Sequence, residues 1–174
     1  YSELESVSGP TTKVDLVTEI SEAGYLFIIR PISLTENLTA DVVQAFIFST
    51  GEILVYEGSY PDSANWRRVS RFTVSKIPYL HYYVDAKGDS FIMTETEILS
   101  LRNLYTTGYE REKNYGIGRA IKNRWSAIIK ALKDLGLRAE TLVHGTYDNA
   151  RDRIVIALPK WLDPITGTLY DYPA

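Results

Sequence analysis

The feature that most constrains the fold is a change of period at Thr94. Upstream of it, apolar and polar residues alternate in short runs separated by Gly, Pro, Asp and Ser; downstream, apolar residues recur every three to four positions. Alternation is the signature of half-buried strands, and the longer period that of helices with one apolar face. Strands first and helices after them predict an α+β domain. Its antiparallel β-meander of roughly five or six strands is covered on one face by helices at about 95–106 and 117–135, and a C-terminal β-hairpin extends it.

The strand half divides at its turn residues. "GYLFIIRPISL" reads as one strand, and Pro31, which lacks an N–H, assigns it to a sheet edge or a bend. "VVQAFIFSTGEILVYEGSY" reads as a hairpin turning at Ser49 to Glu52, with Gly51 in the tight position. A further strand in "WRRVSRFTVS" precedes a second hairpin that turns at "DAKGD". "AETLVHGTYDNARDRIVIALP" supplies a third, turning in "YDNARD".

In the helical half, Thr94 and Glu97 of "TETE" have capping-box spacing, which starts a helix near Glu95 and lets it run to Thr106 before Gly108. From Ile117 the apolar residues Ile121, Trp125, Ile128, Leu132 and Leu135 share one arc, and Gly136 stands where a left-handed C-terminal cap belongs. Arg124 projects among the small residues of that arc, where a cation needs a partner. The organisation expected is a polar N-terminal arm or short helix (1–23), one α+β domain (24–160) and a turn-rich tail (161–174). Tyr1 in place of a methionine suggests processing or an excised segment.

Several function classes drop out on composition. The chain has no cysteine, which removes disulfides, thiolate chemistry and cysteine-based zinc sites. No apolar run is long enough for a membrane span, and the first residues lack the apolar core of a signal peptide, so a soluble chain without membrane partners is expected. The two histidines, far apart in sequence, define no metal centre, and neither a metal nor a cofactor is expected.

Charge is the informative property. Residues 1–62 carry two cations and ten acids, whereas residues 99–138 carry nine cations and three acids, so a net charge of −3 conceals a dipolar chain. On the side of the long helix away from its apolar arc lie Arg119, Lys122, Lys130 and Lys133, with Arg111 and Lys113 in the connector before it. Such a row suits a phosphate backbone, read by charge neutralisation without sequence preference. The order of helix, long helix and Arg/Asp-rich hairpin is similar to winged helix-turn-helix domains, which implies DNA binding; "GYEREKNYG" leaves little room for the middle helix of that family.

Three constellations point to phosphodiester chemistry. Pro61-Asp62 followed by Asp85-Ala86-Lys87 is similar to the PD-(D/E)xK nucleases, a resemblance that implies Mg²⁺ on Asp62 and Asp85 with Lys87 beside the attacking water. "HGT" at His144 resembles one half of the paired signature of 2H phosphoesterases, although the other half, His81-Tyr82-Tyr83, lacks the hydroxyl residue. Tyr109 and Lys113 repeat the spacing of replication-initiator nucleophiles without the accompanying histidine pair. The reading that best fits the sequence is a non-enzymatic nucleic-acid-binding or assembly protein using the basic helix face. A virion-like or other structural subunit, self-associating through opposed charges into a homo-oligomer, is the alternative; the Mg²⁺ nuclease is the third.

Overall fold

The computed structural model describes residues 15–33, 42–58, 61, 64–77, 83–134, 143–157, 160–162 and 169–171. The expected α+β class is what the chain adopts, with antiparallel strands dominating the first half and helices following them. The meander is divided between two sheets. β1 (Leu26–Ser33), β2 (Val42–Phe48), β3 (Glu52–Glu57) and β4 (Arg67–Thr73) form a four-stranded sheet in sequence order, and β5 (Tyr83–Ala86), β6 (Asp89–Met93) and β7 (Ile98–Ser100) form a three-stranded one.

Pro31 does what its missing N–H predicts: β1 is an edge strand, paired only with β2 among the described residues. A bulge between Leu26 and Ile28 lets Phe27 and Ile28 both reach the main core. The β2–β3 turn is closed by the Gly51 N–H donating to the Phe48 carbonyl (2.9 Å). Gly51 has φ +89°, and a Cβ there would lie 2.3 Å from the Val74 carbonyl oxygen, so only glycine fits.

Both faces of the four-stranded sheet are covered. One carries Ile47, Ile53 and Val55 into the main core, together with Ile92, Leu99 and the helices. The other carries Phe46, Phe48, Leu54 and Tyr56, over which Trp66 stacks on Tyr56 (5.2 Å between ring centroids). Leu16 and Ile20, flanking a 3-10 turn at Val17–Glu19, pack on the same cluster. Glu52 pins this segment: its nearly buried carboxylate accepts from the Ser21 N–H (2.9 Å) and the Glu22 N–H (3.3 Å) and pairs with Arg71. Burial alone would raise the Glu52 pKa; the hydrogen bonds from Arg71, Ser21 and Glu22 outweigh it and hold the carboxyl below its ordinary value.

The helical half departs from expectation at both starts. Thr94 accepts from the Glu97 N–H (3.0 Å), but the Glu97 side chain does not fold back to complete a capping box. The Thr94 N–H instead donates to the Glu97 carbonyl (2.8 Å), closing a turn that leads into β7. α1 is therefore Leu101–Thr107, capped by Ser100, whose hydroxyl accepts from the Asn103 N–H (3.0 Å). The long helix opens as a 3-10 turn (Ile117–Ile121) and becomes α-helical at α3 (Lys122–Asp134).

A 3-10 turn advances about 120° per residue against about 100° in an α-helix, so the apolar phase of 117–121 does not continue into α3. Ile121 is left 43% exposed, and the buried face is Trp125, Ile128, Ile129 and Leu132. Arg124 is exposed, correcting its expected place among the apolar residues. Gly118 explains the tight start: a Cβ there would lie 2.1 Å from the Ile98 carbonyl oxygen, so the 3-10 turn presses on β7 with no room for a side chain. The predicted cap at Gly136 lies outside the described residues.

α2 (Tyr109–Tyr115) occupies the connector that seemed too short for a helix, and the C-terminal hairpin is present as β8 (His144–Asp148) and β9 (Arg153–Ala157). β8 and β9 form their own two-stranded sheet, as do β10 (Lys160–Leu162) and β11 (Leu169–Asp171) in the expected tail. Among the described residues no helix is long and apolar enough to cross a membrane.

Candidate functional site

The four helix cations do not form one uniform row. Measured from Trp125 at the centre of the buried face, about 100° per residue puts Lys122 and Lys133 roughly 60° and 80° round, at its margin, and Lys130 roughly 140° round, facing outward. The margin is where residues 94–97 pack. Lys122 pairs with Glu97 (3.3 Å) and the exposed Lys133 with Glu95 (2.6 Å); Arg119 and Lys130 are exposed as well. Two of the four predicted contact residues therefore hold the helix to its own chain.

Glu97 is the hub of this packing. Its carboxylate, 2% exposed as a residue, accepts from the Tyr109 hydroxyl (2.6 Å) as well as from Lys122, linking α2 to α3. The Trp125 indole N–H donates to the Thr94 carbonyl (2.8 Å), so with the two ion pairs the turn is tied to α3 at three points. Burial, and then the bond to Glu97, push the Tyr109 phenol well above its ordinary pKa, the wrong direction for a nucleophile. Lys113, the other half of that spacing, lies over the Tyr109 ring (5.3 Å), and Arg111 is exposed.

Three described acids of the first third have partners in the four-stranded sheet. Glu19, Glu52 and Glu57 pair with Arg68, Arg71 and Arg67 of β4, so the strand's three arginines neutralise the acids beside them. Glu95 and Glu97 of the "TETE" turn are the counter-charges of Lys133 and Lys122.

A second region was not legible as a site. Between β1, the β5–β6 hairpin and β8 lies a cleft of about 430 Å³, lined by Arg30, Ser33, Asp85, Lys87, Ser90 and Tyr147. The Arg30 guanidinium stacks on the Tyr83 ring (4.1 Å). Its Nε forms an ion pair with Asp85 Oδ1 at 3.4 Å without hydrogen-bond geometry, so that buried nitrogen has no hydrogen bond among the described residues. Asp85 instead accepts from the Ser90 hydroxyl (2.5 Å). At the rim, Lys87 pairs with Asp152 (2.5 Å), and Tyr147 donates to the other Asp152 oxygen (2.5 Å). Lys87 and Asp152, at φ +50° and +49°, are the non-glycine residues with left-handed backbone among those described. The turn residues of two hairpins thus meet across the cleft mouth.

These partners bear on the phosphodiester constellations. Asp85 and Lys87 are engaged with different residues, Asp62 lies outside the described residues, and no group of three metal-ligating side chains occurs among those described. His144 and Thr146 line a smaller hollow beside Tyr83 and Asp85, and His81 lies outside the described residues. The signal that could have found the cleft was the "DAKGD" turn, whose two-residue Lys-Gly loop demands positive φ from a lysine. Comparison with protein-family models, curated proteins and solved structures found no match, so the functional reading rests on geometry.

Proposed function

We propose that this chain is a non-enzymatic nucleic-acid-binding protein that contacts the phosphate backbone through exposed cations of its helical layer. The observation that carries the reading is the excess of exposed cations over exposed acids in this layer. Between α1 and the end of α3, Arg111, Arg119, Arg124, Lys130 and Lys133 are exposed, the last while paired with Glu95, against the exposed acids Glu110 and Asp134. From Arg119 to Lys130 the chain advances about 18 Å, the axial reach of roughly five phosphates on one strand. The order α1, α2, α3 and β8–β9 hairpin adds support, since α2 supplies the middle helix that the winged-domain resemblance lacked.

Lys122 and Lys133 are reassigned from contact residues to structural ones, and Arg124 joins the contact set. Binding by such a surface is sequence-independent and salt-sensitive. Fluorescence anisotropy of a labelled oligonucleotide, with protein freed of co-purifying nucleic acid, tests it: affinity that falls steeply with salt supports the reading, and no binding at low ionic strength refutes it. Assembly of copies is the second reading, favoured by Tyr25, Leu26 and Ile29, which are exposed at the β1 edge. Solution mass separates the two, because an oligomer that forms without nucleic acid belongs to assembly.

A further inference from the structure

We propose that the cleft between β1, the β5–β6 hairpin and β8 is a binding site for a small molecule that carries an oxyanion on a planar apolar body, with Arg30 as its anchor. This goes beyond backbone binding and uses none of the cations of the helical layer.

A guanidinium presents five donors and is normally met by a carboxylate, carbonyls or water. Here the Arg30 side chain is only 23% exposed, its plane is fixed by stacking on Tyr83, and its Nε has no hydrogen bond. Arg30 lines the cleft, and the ion pair it makes among the described residues is the long one to Asp85 (3.4 Å). The cation is therefore held in place beside the cleft and partly stripped of water with its Nε lacking a hydrogen bond, which is an arrangement suited to a carboxylate or phosphate oxygen.

The rest of the cleft fits the remainder of such a ligand. Pro31, Ala86 and the Tyr147 ring give apolar wall, and the volume of about 430 Å³ is in the range of small-molecule sites. Asp85 is the competing anion. It forms a long ion pair with Arg30 (3.4 Å) that is not a hydrogen bond and accepts from Ser90 instead, so it competes with an incoming oxyanion by repulsion. Across the mouth, the Lys87–Asp152 pair joins two hairpin turns; its partners are 62% and 63% exposed, so water screens it and an anionic ligand can take Lys87 from Asp152.

The test is titration of the isotopically labelled full chain with phenyl phosphate, inorganic phosphate and benzyl alcohol, followed by NMR at the Arg30 Nε–H and at the Gly88, Ser90 and Tyr147 amides. Phenyl phosphate shifts these signals saturably, and each of the other two binds at least about tenfold more weakly, because each satisfies half of the site. Asp85→Asn, which keeps an acceptor for Ser90 and removes the repulsion, tightens phenyl phosphate several-fold; Arg30→Lys, which loses the fork, weakens it about tenfold. If Arg30→Lys does not fold, the Asp85→Asn result and the Nε–H shift decide alone. Signals that do not move with phenyl phosphate, equal binding of inorganic phosphate, or weaker binding by Asp85→Asn overturn the proposal. Replacing Arg119 and Lys130 leaves this titration unchanged, so its failure is distinct from failure of backbone binding.

Discussion

Replacing Lys122 by alanine destabilises the fold by about 2 kcal/mol, whereas the same change at Lys130 stays within about 0.5 kcal/mol. The asymmetry comes from what each lysine faces. Lys122 is 3.3 Å from a carboxylate whose side chain is 3% exposed, and its removal leaves Glu97, among the described residues, with the Tyr109 hydroxyl as its remaining side-chain partner. Breaking a fully buried pair costs about 3–5 kcal/mol, and a hydrogen bond to a charged group contributes about 1.5–3 kcal/mol. Lys122 is itself about a third exposed, so water screens the pair and the lower range applies. Urea unfolding reads the difference as a lower midpoint at constant slope, and calorimetry as a melting point lower by roughly 4–8 °C for a domain of this size. Glu97→Gln in the Lys122→Ala background recovers part of the loss, since it removes the stranded charge. Equal midpoints for Lys122→Ala and Lys130→Ala would refute the division of the helix cations into structural and exposed ones.

The acid side of the stability profile depends on Glu52. Its carboxyl lies below its ordinary value of 4.5, so its stabilising contribution is fully present above that pH and is lost as pH falls through the lower, folded-state value. Glu52→Gln flattens that limb when unfolding is measured against pH, and it frees the segment that Ser21 and Glu22 anchor, which amide exchange detects. The alkaline side depends on Tyr109, whose pKa is raised above 10; its contribution is present below that pH and declines as pH rises through the higher, folded-state value, and Tyr109→Phe removes the decline. Gly118→Ala forces a Cβ to within 2.1 Å of the Ile98 carbonyl oxygen, and the expected cost of about 2–4 kcal/mol shows as a lower urea midpoint.

What could be read in advance was what periodicity and turn chemistry encode locally. Gly51, the Lys87-Gly88 loop and Pro31 placed two hairpins and an edge strand correctly, because each imposes a backbone condition that few conformations meet. The helix starts were harder. Thr94 and Glu97 have capping-box spacing, yet Glu97 is drawn to Tyr109 and Lys122, partners 12 and 25 residues away, and the turn continues into a strand. The phase of the long helix failed for a related reason: Gly118 lets the chain press against Ile98, and the resulting 3-10 turn shifts every later projection, moving Arg124 outside and Ile129 inside. Arg30 in the cleft was invisible, since nothing local signals that a cation on an edge strand will stack on Tyr83 from another sheet.

The most direct test of the account is the salt dependence of oligonucleotide binding for the native chain beside a variant with Arg111, Arg119 and Lys130 changed to alanine. Each phosphate contact contributes about 0.9 to the slope of log affinity against log salt on duplex DNA, so loss of three contacts lowers the slope by roughly 2.7 while the fold stays intact. An unchanged slope and affinity in a folded variant would contradict the claim that these exposed cations are the nucleic-acid interface.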